Sequence, residues 1–427
     1  MYPNLYYFFR EAFGIKLGIL RFINSFGFFV AISFLIAAAL LAHELKRKSK
    51  QGLFHPTETK ITVGKPASTS ELLLNFILGF VLGYKIIALF FLSSEATQDP
   101  QAYIFSSMGN IPAGILTGLL FAGLKWWERR KQQLQKPEER VLRIWPHDRV
   151  GELTIIGLVV GLLGAKLFDI FENWSGFLKD PGSYIFSGGG LTFYGGLICA
   201  TAVIIWYAIK HKINVRHLAD SIAPALMIAY AVGRIGCQVA GDGDWGIYNN
   251  GYKVVDTHIA LAAPNEFNDT INAHPNYFLR SQGFDHARFQ KPSALSFLPD
   301  WLFAYQYPHN VNEVGLNIPG CTEKYCTQLP IPVFPTPLYE TIMCTILFFV
   351  LWAVRKRLKL AGSLFCLYLI LNGIERFFIE KIRVNNRMYF FGLHPTQAEV
   401  ISSGLVLVGA GLWIFLHQKY RATVKTV

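Results

Sequence analysis

Long apolar runs, separated by shorter polar segments, dominate this chain of 427 residues. A helix needs about 20 apolar residues to cross roughly 30 Å of hydrocarbon. Runs of this kind lie at 22–43, 71–93, 109–127, 152–173, 189–209, 218–240, 337–354, 361–380 and 398–416. The pattern predicts an all-α polytopic membrane protein with about nine transmembrane helices.

One long segment departs from this pattern. Residues 241–335 are polar and rich in Asn, Pro and Gly, and they separate the sixth and seventh apolar runs. Their length is that of a small domain, so we expect a periplasmic head domain. The predicted division of the chain is an N-terminal segment with the first helix (1–54), a helical hairpin (55–148), core helices (149–240), the head (241–335) and C-terminal helices with a tail (336–427).

Composition and charge agree with a membrane protein. Hydrophobic residues make up 52% of the chain and charged residues only 16%, and the mean hydropathy is +0.32, which excludes most soluble classes. The net charge of +12 comes largely from Lys and Arg clusters at 46–48, 129–131, 210–212, 355–357 and 419–425. Positive loops stay in the cytoplasm, which predicts an outside N-terminus and a cytoplasmic C-terminus. The sequence contains no basic stripe interleaved with a recognisable nucleic-acid-binding motif, so we do not expect nucleic-acid binding.

A duplication is visible within the chain. Residues 71–129 align with residues 152–210 at a shift of 81 positions. The identical pairs include Glu71 with Glu152, Gly83 with Gly164, Lys85 with Lys166, Asp99 with Asp180 and Tyr103 with Tyr184. Both copies run in the same direction, so we interpret them as a tandem repeat of one helical hairpin and not as the inverted repeat of many transporters.

Charged residues at membrane depth are the strongest functional signal. Arg234 follows an apolar run, and Arg376, Glu380 and Arg383 lie on one helical face at the end of another. Such residues are costly in lipid and usually face a functional cavity. Two arginines at this depth indicate a phosphate ligand, whereas the structural alternative is an exposed ladder of ion pairs.

Several motifs occur in the order and with the spacing of a known family. They are Gly189-Gly-Leu-Thr-Phe-Tyr194-Gly195-Gly196, Asp220-Ser-Ile-Ala-Pro224, Gly233-Arg234-Ile-Gly236, Pro337-Leu-Tyr339-Glu340 and Arg376-Phe-Phe-Ile-Glu380-Lys-Ile-Arg383. Together they resemble the motifs of the prolipoprotein diacylglyceryl transferases. The resemblance covers about 22–50 and 150–420, and the hairpin 55–148 looks like an insertion into the family's seven-helix plan.

The resemblance implies a reaction and a location. A diacylglyceryl group would pass from phosphatidylglycerol to the lipobox cysteine beside a prolipoprotein signal peptide, in the bacterial inner membrane. Glycerol phosphate would leave, and neither a metal nor another cofactor is expected. Two alternatives stay open, namely a lipid-binding or altered-substrate relative without thiol transfer, and a transporter.

The resemblance also implies roles for individual residues. Arg234 and Arg376 are expected to hold the phosphate. Tyr194 stands where the family ordinarily has histidine, and a phenol with a pKa of about 10 is a poor base at neutral pH, so it is expected to orient substrate. Asp242 is the candidate carboxylate base, with Asp244 as an alternative. The substrate-binding candidates are Gly195, Gly196, Lys166, Cys237, Tyr339, Glu340, Glu380 and Arg383.

The sequence does not decide whether two of the cysteines are bonded to each other. Cys321 and Cys326 lie in the predicted head domain, with four residues between them. Outside the inner membrane they are able to form a disulfide, and the alternative is two free thiols.

Overall fold

The computed structural model describes the whole chain except residues 88–102, 104–107, 187–189, 191, 256–257, 280–284, 386–387, 390–391, 393 and 426–427. Within the described residues, nine helices contain 14 or more residues. In chain order they are α1 (Ser25–Lys50), α2 (Thr69–Leu82), α3 (Ile111–Lys131), α4 (Val150–Glu172), α5 (Phe193–Lys210), α6 (Val215–Ala240), α7 (Thr336–Val354), α8 (Ser363–Glu380) and α9 (Gln397–Lys425). Each overlaps one of the predicted apolar runs.

Seven of these helical stretches, among the described residues, are long and apolar enough to cross a membrane. They are Ser25–Lys50, Thr69–Ile86, Pro146–Glu172, Phe193–Lys210, Val215–Ala240, Thr336–Val354 and Gln397–Arg421. The helices α3 and α8 are not among them. The last turns of α3 are strongly basic, and α8 carries the charged residues of the arginine motif. The chain is therefore a mostly helical, multi-pass membrane protein, and the count of nine spans is not confirmed.

Contacts divide the chain into two compact units. The first unit comprises Met1–Ile15, Ile23–Leu41 and Arg216–Val427, and the second comprises Lys16–Phe22 and Ala42–Val215. In the first unit, α6, α7 and α8 share an apolar core. Its buried members are Ala223, Met227, Ala231, Cys344, Phe348, Leu351 and Leu364. This core fixes the three helices that carry the charged residues predicted to form the site.

A carboxylate joins α6 to the start of α8. Asp220 is buried and accepts hydrogen bonds from the backbone amides of Gly362 at 2.8 Å and Phe365 at 3.0 Å. These amides belong to the first turn of α8, where intrahelical partners are lacking and negative charge is favourable. Gly362 has a φ of 97°, which suits glycine. Asp220 therefore sets where α8 begins.

The polar segment between α6 and α7 folds around its own apolar core. Tyr248, Phe267, Phe278, Tyr307, Leu329, Ile331 and Val333 are its buried members. Short helices span Glu266–Ala273 and Pro275–Phe278. Its strand pairs are Tyr248–Asn249 with His286–Ala287 in parallel, Tyr252–Val255 with His258–Leu261, and Leu316–Asn317 with Thr327–Gln328. Cys321 and Cys326 form a disulfide.

The second unit contains the two predicted hairpins. Helices α2 and α3 pack together, as do α4 and α5. Lys85 Nζ donates to the carbonyl oxygens of Tyr103 at 3.0 Å and Met108 at 2.9 Å, and Lys166 Nζ donates to the carbonyl oxygen of Gly190 at 3.4 Å. Each lysine thus ties the first helix of its hairpin to the loop before the second. Matched positions 99, 100, 104–106 and 187 lie outside the described residues.

A two-stranded ribbon brackets the first hairpin. Strand Thr57–Val63 pairs antiparallel with strand Glu138–Ile144, and Thr57 lies opposite Ile144. The two ends of the first hairpin segment therefore lie next to each other. With the head strands, the ribbon shows that the all-α prediction was too strict, since the described residues include four two-stranded sheets. These strands are too short, or too polar, to interrupt the apolar pattern from which that prediction was made.

Candidate active site

Arg234 lies near the end of α6 in a closely packed environment. A Cβ atom on the neighbouring Gly236 would lie 3.2 Å from the backbone of Phe26 on α1, so glycine lets the helices approach. One turn before Arg234, the ring of Tyr230 lies under its guanidinium group at 5.2 Å. The Arg234 side chain is only 14% exposed. This packing fixes the guanidinium group in a largely water-free position.

Glu340, in the first turn of α7, joins three arginines. Its side chain is completely buried. It pairs with Arg234 Nε at 2.9 Å, Arg376 Nη1 at 2.9 Å and Arg383 Nη1 at 3.5 Å, and the Tyr230 hydroxyl donates to it at 2.8 Å. A buried carboxylate needs such partners. Its central place favours a role in the site over simple capping of α7.

The charged face of α8 points into the same network. Arg376 Nη2 lies 3.1 Å from Glu380, which is fully buried and also accepts from the Asn385 amide at 2.5 Å. The Arg383 side chain is 9% exposed and donates from Nη2 to Asp244 at 2.6 Å. Such burial argues against the alternative of an exposed ion-pair ladder.

Asp244 bridges two of the arginines from the start of the polar segment. It pairs with Arg234 and with Arg383, and its own carbonyl accepts from the Thr336 hydroxyl at 2.8 Å. Burial raises the pKa of the Asp244 carboxyl, but Arg383 and Arg234 outweigh burial, and the pKa lies below its ordinary value. Asp244 is therefore a stable anion in this network.

Asp242 has a different environment in the same turn. Its carboxylate accepts from the Asp244 amide at 3.3 Å and has no ion pair among the described residues. Burial raises the pKa of Asp242. Asp242 was the preferred candidate base on sequence grounds, yet it is Asp244 that pairs with the arginines. The glycines of Gly-Asp-Gly-Asp explain the turn, since Gly241 and Gly243 have φ values of 65° and 94°, but they do not reveal which carboxylate faces inward.

Of two other predicted site residues in the first unit, Cys237 contacts an arginine and Tyr339 does not. Cys237 is buried, and its sulfur lies 3.6 Å from Arg234 Nη1. The Tyr339 hydroxyl instead donates to the carbonyl of Leu302 at 2.8 Å, so the structure does not bring it to the arginines. Cys237 belongs to the edge of the network, whereas Tyr339 anchors the head segment.

The sulfur of Cys237 and carboxylate oxygens of Asp242 and Asp244 lie within 4.8 Å of one another. That donor set is poorly suited to a cation, because Asp244 already faces two guanidinium groups, whose charge opposes metal binding.

Four of the predicted site residues, namely Lys166, Tyr194, Gly195 and Gly196, belong to the second unit. Lys166 pairs with Asp169 at 3.6 Å. Gly195 and Gly196 pack on α4, where a Cβ atom on either would lie 2.7 Å from a backbone carbonyl oxygen. Close helix packing explains both glycines. Tyr194 is half-buried at the start of α5, whereas 189 and 191 of its motif lie outside the described residues.

Comparison with known proteins identifies the family. The profile described as prolipoprotein diacylglyceryl transferase matches residues 111–415. The chain belongs to the prolipoprotein diacylglyceryl transferase family. The matched range contains the complete network of Arg234, Arg376, Arg383, Glu340 and Asp244.

Curated relatives agree with this assignment. The protein named phosphatidylglycerol–prolipoprotein diacylglyceryl transferase from Dehalococcoides mccartyi is 26% identical to this chain over 337 residues. The match covers 78% of this chain and 98% of the relative. The protein of that name from Vibrio vulnificus is 26% identical over 320 residues, covering 73% and 89%. That from Shouchella clausii is 25% identical over 278 residues, covering 65% and 78%.

Sequence reasoning missed two residues near the network. Tyr230 lies inside an apolar run, and only its spacing of four residues from Arg234 signals that both share a helix face. Glu375 precedes Arg376 and is buried, and neither carboxylate oxygen has a hydrogen-bond partner among the described residues. A second acidic residue inside an apolar helix was a visible signal for Glu375.

Proposed function

We propose that this protein transfers the diacylglyceryl group of phosphatidylglycerol to the lipobox cysteine thiol of prolipoproteins and releases glycerol phosphate. The observation that carries the proposal is the buried network in which Glu340 holds Arg234, Arg376 and Arg383. Membership of the family and the names of its curated relatives support the same reaction.

The residue types suit this chemistry. The substrate thiolate attacks a glyceryl carbon, a carbon–sulfur bond forms, and the carbon–oxygen bond to phosphate breaks. Negative charge then increases on the departing phosphate, and guanidinium groups fixed in a water-poor site stabilise it. We assign this role to Arg234 and Arg376, with Glu340 as a positioning residue. Asp244 bridges two guanidinium groups in the manner that a phosphate bridges them.

A proton must leave the substrate thiol before attack, because the thiolate is the nucleophile. Asp242 is our candidate acceptor. Burial raises its pKa, which brings a carboxylate closer to the range of an effective base. Tyr194, in place of the family's histidine, would orient the lipid. Cys237, which touches Arg234, is a packing residue in this scheme, since the reacting thiol belongs to the prolipoprotein.

The proposed topology follows from the charge distribution. We place nine spans across the bacterial inner membrane, with the N-terminus outside, the segment 241–335 in the periplasm and the C-terminus in the cytoplasm. The hairpin 55–148 is then an insertion, and the pairing of Thr57 with Ile144 supports this. The signal peptide of the precursor would approach from the membrane.

One alternative has a specific observation in its favour. Tyr194 replaces the histidine expected in the family, so a relative that binds phosphatidylglycerol without alkylating a thiol would keep the arginine network and lack the base. Both functions require lipid binding, but only the transferase converts the lipid and releases glycerol phosphate.

Glycerol phosphate release separates these possibilities. Full-length protein in nanodiscs containing phosphatidylglycerol would be incubated with a lipobox peptide or with its Cys→Ser variant. We expect release only with the thiol peptide and a fall of at least a hundredfold in Arg234→Lys, which keeps the charge but loses the planar fork. Arg10→Lys is the control, because Arg10 forms an exposed ion pair with Glu323. Lipid binding that depends on Arg234 without any release would contradict the proposal and support the alternative.

A further inference from the structure

One loop of the head segment, residues 305–315, has an uncommon backbone conformation. Within it, Tyr307, His309 and Glu313 have φ values of 46°, 58° and 53°. Residues other than glycine seldom adopt this left-handed conformation. It costs free energy, persists only where surrounding contacts hold it, and occurs often at functional sites. We call residues 305–315 the brace loop.

Buried hydrogen bonds hold the brace loop in this conformation. Asn310 is completely buried. Its side-chain amide donates to the carbonyl oxygens of Tyr307 at 3.2 Å and Val314 at 2.8 Å, and its side-chain oxygen accepts from the Val314 amide at 2.9 Å. Buried polar groups need such partners. The loop is thus fixed by its own side chains.

The brace loop also contacts the end of α6. The Tyr307 hydroxyl donates to Gln238 Oε1 at 2.7 Å, and the Val311 amide donates to the carbonyl oxygen of Ala240 at 3.0 Å. The last carbonyl groups of a helix lack intrahelical donors, and the loop supplies one donor here. The loop and the helix that carries Arg234 are therefore joined at the point where the helix ends.

Asn312 extends this contact into the turn that carries the two carboxylates. Its amide group donates to the carbonyl oxygen of Asp242 at 2.6 Å, and a Cβ atom on Gly243 would lie 2.6 Å from the same nitrogen. Asn312 is exposed, so it contributes little to the core of the head segment. The turn directs Asp244 to the arginines and leaves Asp242 beside Cys237. Asn312 holds the peptide backbone between the two carboxylates.

We propose that Asn312 is a positioning residue that holds Asp242 where it accepts the proton of the substrate thiol. The inference rests on the proposed function, in which Asp242 is the acceptor. The proton passes from the substrate sulfur to a carboxylate oxygen of Asp242, and the sulfur keeps the electron pair with which it attacks carbon. Asn312 touches no reacting atom and acts by fixing the carbonyl group of Asp242, and with it the direction of the side chain.

The surroundings of Asp242 supply a signature of lost positioning. The groups that face it are Cys237 and Arg234 on α6, Asp244 in the same turn and Tyr307 in the brace loop. Burial is the largest influence on the Asp242 carboxyl and raises its pKa. If the turn opens, Asp242 meets water and its pKa falls towards the ordinary value. The rate then persists to lower pH, because the base stays deprotonated there.

The test measures glycerol phosphate release by full-length protein in nanodiscs between about pH 4 and pH 9. We expect Asn312→Ala to lower kcat about two- to tenfold, as the loss of one hydrogen bond would, and to move the acidic limb of kcat to lower pH. The KM for the peptide should stay within about twofold of the wild type. Asn317→Ala is the matched control, since Asn317 is exposed on a strand of the same head segment. Thermal unfolding verifies that both variants fold.

Hydrogen exchange followed by mass spectrometry tests the contact without turnover. We expect Asn312→Ala to speed exchange of the backbone amides in residues 241–246, and Asn317→Ala to leave their exchange unchanged. Unchanged exchange in Asn312→Ala would overturn the inference, because the turn would not depend on this side chain.

The kinetic outcomes separate the inference from the proposed function. A lower rate with an unmoved acidic limb would show that Asn312 has only a structural role and would overturn the inference. Release by the wild type that Asn312→Ala leaves unchanged would also refute the inference alone. No release by the wild type would refute the proposed function, and the inference with it.

Discussion

Replacing Glu340 by glutamine tests whether one buried carboxylate holds the arginine network together. The amide keeps the volume of the side chain and an oxygen for the Tyr230 hydroxyl, but it removes the charge that faces three guanidinium groups at 2.9, 2.9 and 3.5 Å. Glu340 is completely buried. Breaking a buried ion pair by removing one partner costs about 3–5 kcal/mol, and we expect Glu340→Gln to lower the free energy of unfolding by about that amount.

The assay is denaturant unfolding in mixed micelles, followed by tryptophan fluorescence. The matched control is Glu323→Gln. Glu323 pairs with Arg10 at 2.5 Å, but both side chains are substantially exposed, at 42% and 31%, and an exposed pair is worth about 0–1 kcal/mol. If Glu340→Gln lost less than about 1 kcal/mol, or no more than the control, the central role of this carboxylate would be refuted.

Four further predictions follow from individual contacts. Asp220→Ala should lower the free energy of unfolding by about 2 kcal/mol, because two amides of α8 lose their acceptor; Asp220→Asn should lose less, and equal losses would contradict this. Asp244 has a lowered pKa, so its stabilisation is present above the unfolded pKa of about 4 and is lost as pH falls through the folded pKa; Asp244→Asn should destabilise most at pH 7, and its difference from wild type should shrink as the pH is lowered below about 4, whereas a constant difference would contradict this. Asp242 has a raised pKa, so stability falls as pH rises towards its folded pKa, and Asp242→Asn should be neutral or stabilising at pH 7 in the same titration. Replacing residues 58–143 by a short Gly-Ser linker should leave glycerol phosphate release measurable, because the ribbon brings the two ends together; complete loss in a folded protein would contradict an inserted hairpin.

The sequence predicted the helices and the charged face of α8 because both follow from simple periodicity. Nine apolar runs correspond to nine long helices in the described part of the chain, and the spacing of Arg376, Glu380 and Arg383 placed them on one side of a helix. The number of membrane spans was harder to predict. The charged residues that make α8 a candidate part of the site also lower its hydropathy, so that composition alone does not identify it as a span.

Tertiary partners were less predictable. Nothing in Gly-Asp-Gly-Asp indicates that Asp244 and not Asp242 meets Arg234 and Arg383, because that choice depends on how the head segment packs against α8. The chain around Gly246 is held there, since the amide of Ile247 donates to the carbonyl of Ile382 at 2.8 Å. Long-range contacts of this kind leave no periodic signal.

The head segment shows the same limit. Several of its strands contain only two residues, which is too short for an alternating pattern. The strand Thr57–Val63 is different, since its sequence of Thr, Glu, Thr, Lys, Ile, Thr and Val is rich in β-branched residues. That signal was available to predict the ribbon.

The mass of a lipobox peptide after incubation with the protein and phosphatidylglycerol tests the central claim most directly. We expect a gain equal to one diacylglyceryl group on the cysteine, resistant to hydroxylamine as a thioether is, and absent with Arg234→Lys. An unchanged peptide mass, with wild-type protein that still binds the lipid, would contradict thiol transfer.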